Sequence, residues 1–307
     1  MTVPSFIAVE WGTARLTARW IGADGMLLAE HGEDIRLSEL GDVEIAGRLA
    51  ALRVRWPEAA PELWLAGMIA TRIGDGPLPW QACPATPEAI ARGARTVVLG
   101  DGVVARILPG LSCTSRFGDH DVLRGEEVAA VGALARLRSD ALLLSVPGQH
   151  GKWIELADSA ALRFHTSMTV ELHRVLSEGS ILAPLMQAPP ADGDAFRRGI
   201  ARAADGGGLG RLLFSARGAV LARSLSEAEA GAYLWGLLIG ADVRENLAVA
   251  GASERPCVVT GSPDVAPLFA AAIRALGTPA ELLDGAALSV AGFSALRQLH
   301  ARQEMDA

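Results

Sequence analysis

Two glycine-containing turns in the sequence could bind phosphate groups. The first is Glu10-Trp11-Gly12-Thr13 and the second spans residues 147–152, and each follows a short apolar run. Glycine lets backbone N–H groups approach phosphate oxygens closely. Glu10 could also hold Mg²⁺ directly or through water, and Arg15 could offset phosphate charge. Either turn alone could be an ordinary hairpin turn, whereas the pair predicts a clamp on one polyphosphate across a cleft.

The segment Arg124-Gly125-Glu126-Glu127 places two carboxylates near the start of a helix that we predict over residues 121–138. A carboxylate beside a bound alcohol can accept the proton of an attacking hydroxyl group. Adjacent helical residues point about 100° apart, so we expect at most one of the two glutamates to face a substrate. The helix dipole also favours acidic residues in a first turn, so helix capping is the alternative interpretation.

Lysine is almost absent from this chain. The 28 basic residues are 27 arginines and a single lysine, Lys152, at the end of the second glycine turn. An ammonium group and a guanidinium group are not interchangeable. A single retained lysine therefore indicates a task that arginine cannot perform, and chance is the alternative.

A polar cluster that includes Thr169 and Glu171 follows a strand predicted over residues 161–164. His165 and His173 of this cluster are eight residues apart, whereas a zinc-binding helix carries its histidines at i and i+4. We therefore predict a polar cap at the start of a helix, near a substrate, rather than a metal site.

Composition excludes several classes of protein. The 307 residues carry a net charge of −7, which argues against a nucleic-acid-binding domain. Hydrophobic residues make up 50% and charged residues 21% of the chain, so most of it is expected to fold. No apolar run reaches the roughly 18–20 residues of a membrane span, and a basic signal-peptide start is missing, so we expect a cytoplasmic protein. Three widely spaced cysteines form no metal or disulfide pattern.

Periodicity predicts an α/β fold that repeats at large scale. Alternating apolar residues over 15–21 predict a half-buried strand within an antiparallel meander at residues 6–31. A second meander is predicted over 141–164, and helices follow each one. We predict a loop over residues 72–95 because they are rich in Gly, Pro and Ala. At roughly 150 residues per domain, the length favours two domains.

Five motifs, in this order, resemble the 2-dehydro-3-deoxygalactonokinase family, which is similar to the sugar kinase, hexokinase and actin superfamily. They are Val9-Glu10-Trp11-Gly12-Thr13-x-x-Leu16, Leu123-Arg124-Gly125-Glu126-Glu127, Pro147-Gly148-x-His150-x-Lys152-Trp153, Thr169-x-Glu171-Leu172 and Gly236-Leu237-Leu238-Ile239-Gly240-Ala241. The resemblance covers essentially the whole chain.

The resemblance implies two ribonuclease-H-like, actin-like domains with mixed sheets around an ATP cleft. The N-terminal domain would comprise residues 1–139 with a closing helix at 286–307, and the C-terminal domain would comprise residues 140–285. The implied reaction transfers the γ-phosphate of ATP, with Mg²⁺, to the 6-hydroxyl of 2-dehydro-3-deoxy-D-galactonate in galactonate catabolism.

The resemblance also implies roles for individual residues. Glu126 is the expected base, with Glu127 a close second, and Lys152 would offset charge on the transferred phosphoryl group. The substrate residues would be Arg124, Thr169 and Glu171. The nucleotide residues would be Glu10, which also holds the metal, with Gly12, Thr13, Arg15, Gly148, His150 and Gly261.

Three residues depart from the usual family pattern. Glu10, Gln149 and Val170 stand where the family usually has Asp, Thr and Gly. Val170 is the largest change, because a β-branched side chain replaces a residue that tolerates close approach or positive φ.

These departures keep other functions open. The alternatives are a kinase of a different sugar acid, a non-catalytic nucleotide- or sugar-binding regulator, and a polyphosphate or nucleotide hydrolase on the same scaffold. The expected partners are a small sugar acid and ATP, without nucleic acid or membrane, and a homodimer is compatible with this interpretation.

Overall fold

The computed structural model describes residues 4–59, 62–73, 78–99, 102–137, 139, 141–187, 191–250 and 256–306, except for the side chains of 249 and 250. The chain divides into two compact units. The first unit comprises residues 1–140, 156–163 and 286–307, and the second comprises 141–155 and 164–285.

Groups of strands are followed by groups of helices along the described residues, which makes this an α/β fold. The strands are β1 (Phe6–Trp11), β2 (Arg15–Ile21), β3 (Leu27–Asp34), β4 (Leu63–Ala66), β5 (Gln81–Ala82), β6 (Arg95–Val98), β7 (Val104–Ile107), β8 (Leu111–Thr114), β9 (His120–Leu123), β10 (Ala141–Val146), β11 (Gly151–Ala157), β12 (Ala160–Ser167), β13 (Cys257–Val259) and β14 (Ala280–Leu282). The α-helices are α1 (Asp42–Arg55), α2 (Pro87–Arg92), α3 (Glu126–Arg136), α4 (Thr169–Gly179), α5 (Asp194–Ala204), α6 (Leu209–Leu221), α7 (Glu227–Ala250), α8 (Ala266–Ala275) and α9 (Gly285–Met305).

The first unit contains a six-stranded sheet in the order β3-β2-β1-β4-β7-β6. The predicted meander is confirmed, since β2 is antiparallel to both β1 and β3. β1 is parallel to β4, so their carboxyl ends lie side by side. Helix α1 packs on this sheet, where Ile45 and Leu49 share one apolar core with Ile7, Val9 and Leu65.

The second sheet has the order β12-β11-β10-β13-β14. β10 is parallel to β13, which is parallel to β14. Phe269 of α8 and Ile239 of α7 share an apolar core with Leu143 and Val259 from the strands. Each large sheet therefore starts from a three-stranded meander and adds parallel strands beside its first strand, and in the first sheet β6 is antiparallel at the far edge. This is the ribonuclease-H-like arrangement that was predicted.

Two of the element predictions are wrong. The predicted loop at 72–95 contains β5 and α2, and β5 pairs with β8 in a small sheet with β9. The predicted helix at 121–138 begins only at Glu126, because residues 121–123 belong to β9 and pair with β8. Gly125 separates strand from helix with a φ of +118°, which side chains other than glycine rarely adopt.

Glycines allow α7 to pack tightly against α5. A Cβ atom at Gly236 would overlap the carbonyl group of Phe196 and lie 3.0 Å from the Cα of Gly199. A Cβ at Gly240 would lie 2.9 Å from the Cα of Ile200. The two glycines of the Gly-Leu-Leu-Ile-Gly-Ala motif therefore form a helix-packing surface.

We expect Gly236→Ala to destabilise the protein by about 1–3 kcal/mol or more, because the backbones of α5 and α7 must separate. The matched control is Gly218→Ala on α6, where a Cβ would meet no atom within 4 Å. This control should be neutral or stabilising by up to about 1 kcal/mol, since alanine favours helix. Chemical denaturation of both variants measures the difference, and equal stabilities would contradict the packing role.

Within the described part of the chain, no helix is long and apolar enough to cross a membrane.

Candidate active site

The first glycine turn lies at the carboxyl end of β1, beside the end of β4. Gly67, which follows β4, has a φ of +95°, and a Cβ there would lie 2.7 Å from the carbonyl oxygen of Trp11. A Cβ at Gly125 would in turn lie 3.3 Å from the Cα of Gly67. The backbone of Gly67 therefore packs against both the turn at residues 10–13 and the segment that begins α3. This close packing requires glycine at 67 and 125. We call this group the first-unit cluster: residues 10–13, Gly67 and residues 124–127.

Glu10 is held by two donors from the first unit. Its Oε2 accepts from Arg19 and, at 2.7 Å, from Ser289 Oγ. Arg19 is 8% exposed and also donates to Glu30 at 2.8 Å. Within the described residues, the hydrogen bonds of Glu10 all fall on Oε2. Its Oε1 is therefore left for a cation or a water ligand.

Gly12, Thr13 and Arg15 lie on the exposed part of this turn. The N–H of Gly12 donates to the carbonyl of Arg15 at 3.0 Å, which closes the hairpin. The Arg15 guanidinium pairs with Asp34 across the β2–β3 ladder, and both side chains are largely exposed. Arg15 is thus engaged at the outer edge of the sheet.

Arg124 is the most unusual cation of the first-unit cluster. It is 9% exposed, its guanidinium carbon lies 3.9 Å above the ring of Trp80, and Nη2 donates to the carbonyl of Leu78 at 3.3 Å. Its Nε and Nη1 are buried without a hydrogen-bond partner among the described residues. Burial lowers the pKa of Arg124, and the nearby Glu127 opposes that shift. A buried guanidinium with unused donors fits a carboxylate or phosphate ligand.

Glu126 and Glu127 differ sharply in environment. Glu126 is half-buried in the first turn of α3, and its Oε2 accepts from the N–H of Arg124 at 3.2 Å. Glu127 is completely buried, with Oε2 accepting from the N–H of Gly125 at 2.5 Å and Oε1 unpaired within the described structure. Burial raises the pKa of Glu127 to about 8, with Glu126 adding to the rise while the Gly125 N–H and Arg124 oppose it. Glu127 is therefore mostly protonated at neutral pH.

The raised pKa of Glu127 predicts a pH-dependent stability. Between about pH 4.5 and 8 the folded state keeps a proton that the unfolded state releases. Stability therefore falls as pH rises, by at most about 1.4 kcal/mol per pH unit. Glu127→Gln removes this titration, so we expect the variant to gain stability relative to the parent protein between pH 5 and pH 8. Thermal melts at both pH values test this, and a constant difference would contradict it.

The second glycine turn lies between β10 and β11, beside the end of β13. Gly261 has a φ of +128°, and a Cβ there would lie 2.8 Å from the carbonyl oxygen of Pro147. The N–H of Thr260 donates to the carbonyl of Ser145 at 3.0 Å. The hydroxyls of Thr260 and Ser145 are buried without a partner in the described part of the chain. Gly148 leaves open space, since a Cβ there would meet no atom within 4 Å.

Lys152 is the second residue of β11 and is 6% exposed, and its Nζ donates to the carbonyl of His150 at 2.8 Å. His150 Nε2 lies 2.6 Å from Glu171 Oε2, and Gln149 Nε2 lies 3.5 Å from Glu171 Oε1. The hydrogen bond from His150 is the main cause that lowers the pKa of Glu171. Glu171, predicted to bind substrate, thus ties the start of α4 to the second glycine turn.

Thr169 and Val170 begin α4. The Thr169 hydroxyl lies 2.6 Å from a carboxylate oxygen of Asp242, a buried residue of α7. Val170 has ordinary helical geometry, and its side chain packs against the apolar core of the second unit. A β-branched residue is therefore accommodated at this position. We call residues 147–152, 167–171, Asp242 and 260–261 the second-unit cluster.

The sequence interpretation missed three residues that shape these clusters. Gly67 follows β4 and belongs to no recognised motif, and Arg19 occupies a polar position in the alternating sequence of β2, as a surface residue would. Asp242 sits in a helix whose neighbours are mostly apolar. An acidic residue in such an apolar helix was the one available signal, since buried acids need partners.

The two large sheets, each with a glycine turn at the end of its first strand, have the ribonuclease-H-like arrangement of the actin-like fold. The overall fold of the chain is similar to that of the ADPNP-bound activator of 2-hydroxyisocaproyl-CoA dehydratase from Clostridium difficile. That match has a TM-score of 0.53 at 11% identity, covers 98% of this chain and 97% of the other, and concerns the fold alone.

Closer relatives identify the family. The 2-keto-3-deoxy-galactonokinase family model matches residues 10–296. The 2-dehydro-3-deoxygalactonokinase of Escherichia coli K12 is 32% identical over 78% of this chain and 79% of the relative. A probable 2-dehydro-3-deoxygalactonokinase of Rhizobium meliloti 1021 is 32% identical over 96% of this chain and 97% of the relative. A crystal structure from Sinorhizobium meliloti with the same provisional assignment has a TM-score of 0.84 at 31% identity, covering 95% of this chain and 98% of the other.

The chain belongs to the 2-keto-3-deoxy-galactonokinase family. The predicted family, fold class and enzyme class, a phosphotransferase, are confirmed.

Proposed function

We propose that the chain is an ATP-dependent kinase that phosphorylates the 6-hydroxyl of 2-keto-3-deoxy-D-galactonate. The observation that carries the sugar-acid assignment is Arg124, nine-tenths buried with two unpaired guanidinium nitrogens among the described residues. A guanidinium recognises a planar carboxylate through paired hydrogen bonds. The flat face of Trp80 fixes the orientation of the guanidinium plane. Arg124 is therefore the proposed anchor for the carboxylate of the sugar acid.

The second-unit cluster supports nucleotide binding. The unpaired hydroxyl of Thr260 lies beside Gly261 and Gly285, positions where glycine keeps the backbone accessible. Gly148, in the turn before β11, offers backbone N–H groups to phosphate oxygens. In the second-unit cluster, Gly148 and His150 are the proposed phosphate contacts, and Gly261 is the proposed contact of the adenosine. In the first-unit cluster, Gly12 and Thr13 are the proposed phosphate contacts.

The residues of the first-unit cluster are compatible with Mg²⁺. Glu10 keeps one carboxylate oxygen, and Mg²⁺ on a nucleotide commonly needs only one or two carboxylates besides phosphate and water. When bound, the ion would supply charge neutralisation to the phosphates. Arg19 and Ser289 orient the Glu10 carboxylate from the opposite oxygen.

We assign the base to Glu126 rather than Glu127. A base must be within reach of the substrate hydroxyl, and Glu126 is half-buried at the start of α3. Glu127 is wholly buried and mostly protonated at neutral pH, so it supports the loop at Gly125. Phosphoryl transfer then depends chiefly on positioning and electrostatics.

A coupled ADP-release assay with Mg·ATP tests this function. The panel contains 2-keto-3-deoxygalactonate, its gluconate epimer and a reaction without sugar acid. Selective turnover of the galactonate form is expected. Turnover of another acid alone would reassign the substrate, and phosphate release without any acid would identify a hydrolase. ATP binding without turnover would identify a regulator.

Location and assembly belong to the same proposal. We place the enzyme in the cytoplasm, where ATP is available. The homodimer compatible with the sequence stays a prediction, which light scattering during size-exclusion chromatography would test.

A further inference from the structure

Asp242 is the centre of a buried polar network in the second unit. Its carboxylate, on α7, is 7% exposed and accepts four hydrogen bonds. Oδ1 accepts from Trp153 Nε1 at 3.0 Å and from Asn246 Nδ2 at 2.6 Å. Oδ2 accepts from the hydroxyls of Ser167 and Thr169, each at 2.6 Å. Four donors, from β11, the end of β12, the start of α4 and α7 itself, thus saturate one carboxylate.

The network fixes the direction of the Thr169 hydroxyl. Ser167 Oγ lies 2.7 Å from Thr169 Oγ1, so the two hydroxyls and Asp242 Oδ2 form a triangle of close oxygens. Both hydroxyl oxygens lie within hydrogen-bond distance of Oδ2 and of each other, so each hydroxyl proton has an acceptor inside this triangle. Whichever contact each proton takes, the Thr169 proton stays within the triangle. Thr169 therefore presents only acceptor lone pairs to a ligand.

We infer that Asp242 is a positioning residue that makes Thr169 an obligatory hydrogen-bond acceptor for a hydroxyl group of the sugar acid. The carboxylate and keto groups of such a substrate cannot donate a proton, whereas its hydroxyls can. Thr169 thereby selects the hydroxylated part of the substrate and excludes its carboxylate. This inference rests on the proposed function and on the substrate-binding role that the family resemblance implies for Thr169.

The polarity argument predicts the effect of an isosteric change. In Asp242→Asn, the amide oxygen still accepts from Trp153 and Asn246, and the amide N–H groups now face the hydroxyls. Thr169 then accepts from the amide, and its own proton turns outward. We expect the KM for the sugar acid to rise about 5- to 10-fold, as for one lost hydrogen bond, with the KM for ATP within about 2-fold.

A double-mutant cycle tests the coupling. Thr169→Val should raise the KM for the sugar acid by a similar factor, and Thr169→Ser should stay within about 3-fold of the parent because it keeps the hydroxyl. Asp242→Asn in the Thr169→Val background should add less than about 2-fold, since both changes remove the same interaction. Ser177→Ala on the same helix α4 is the control, because Ser177 lies outside both clusters and its hydroxyl donates to the carbonyl of Arg174 at 2.8 Å. It should change the KM for the sugar acid by less than about 2-fold.

Different results would overturn different claims. If the two substitutions multiplied each other's effect on the KM for the sugar acid, Asp242 would act only as a structural support. The same would follow if Asp242→Asn raised the KM for ATP as much as the KM for the sugar acid. An unchanged KM for the sugar acid in Thr169→Val would remove Thr169 from the substrate site and this inference with it. If the parent protein turned over no sugar acid in the panel, the proposed function itself would fail, together with the role of Asp242.

Discussion

Replacing Glu126 with glutamine should lower kcat by about 10²-fold or more, while the Kd for ATP stays nearly unchanged. The amide keeps the size of the side chain and can still accept from the N–H of Arg124, as the carboxylate does at 3.2 Å. It cannot accept the proton of the sugar hydroxyl, so the loss falls on the chemical step. Single-turnover phosphorylation and isothermal titration with ATP separate the two effects.

Glu127→Gln is the matched control for this prediction. The parent side chain is mostly protonated at neutral pH because burial raises its pKa to about 8. A neutral amide of the same size therefore resembles the native state, and kcat at pH 7 should change less than about 5-fold. If Glu127→Gln abolished turnover while Glu126→Gln retained it, the base would be Glu127.

Local sequence patterns predicted the strands and turns that begin each unit. In β2, Leu16, Ala18 and Trp20 alternate with polar residues, and the strand forms where the alternation occurs. The glycine turn before it then fixes an antiparallel partner. Such signals depend only on neighbours in the chain, so a single sequence contains them in full.

The start of α3 shows where local patterns fail. Apolar spacing from Val128 onward is helical, yet Asp121 to Leu123 pair with β8, which the sequence alone did not indicate. The glycine at 125 is the physical boundary, because its positive φ is incompatible with a continuing helix. The helix predicted over residues 121–138 therefore wrongly included residues 121–123, which belong to β9.

The hydrogen-bond networks of both clusters depend on contacts between distant residues. Ser289 reaches Glu10 across 279 positions, and Trp153 reaches Asp242 across 89. Neither pair has a spacing that a motif could encode. Motifs therefore predicted which segments form the site, and only the fold shows which carboxylates are paired, buried or available.

Removing the charge of Lys152 is the second change for which we expect a large effect. Lys152→Met keeps a long apolar stem but loses the ammonium group, and kcat should fall about 10²-fold, the usual cost of one lost charge-stabilising donor. Lys152→Arg should not restore full activity, because the site is 6% exposed and a planar guanidinium is larger than an ammonium group. In the parent protein, Lys152 Nζ donates to the carbonyl of His150 at 2.8 Å, which places the ammonium group in the second glycine turn.

Arg15→Met provides the control for Lys152→Met, because Arg15 was the other cation expected to offset phosphoryl charge. Its guanidinium pairs with Asp34 and is largely exposed, so its loss should change kcat less than about 3-fold. Steady-state kinetics of the three variants, with thermal melts to confirm folding, decides between the cations. A larger loss in Arg15→Met than in Lys152→Met would move the charge-offsetting role to the first glycine turn. The single lysine would then have no catalytic part.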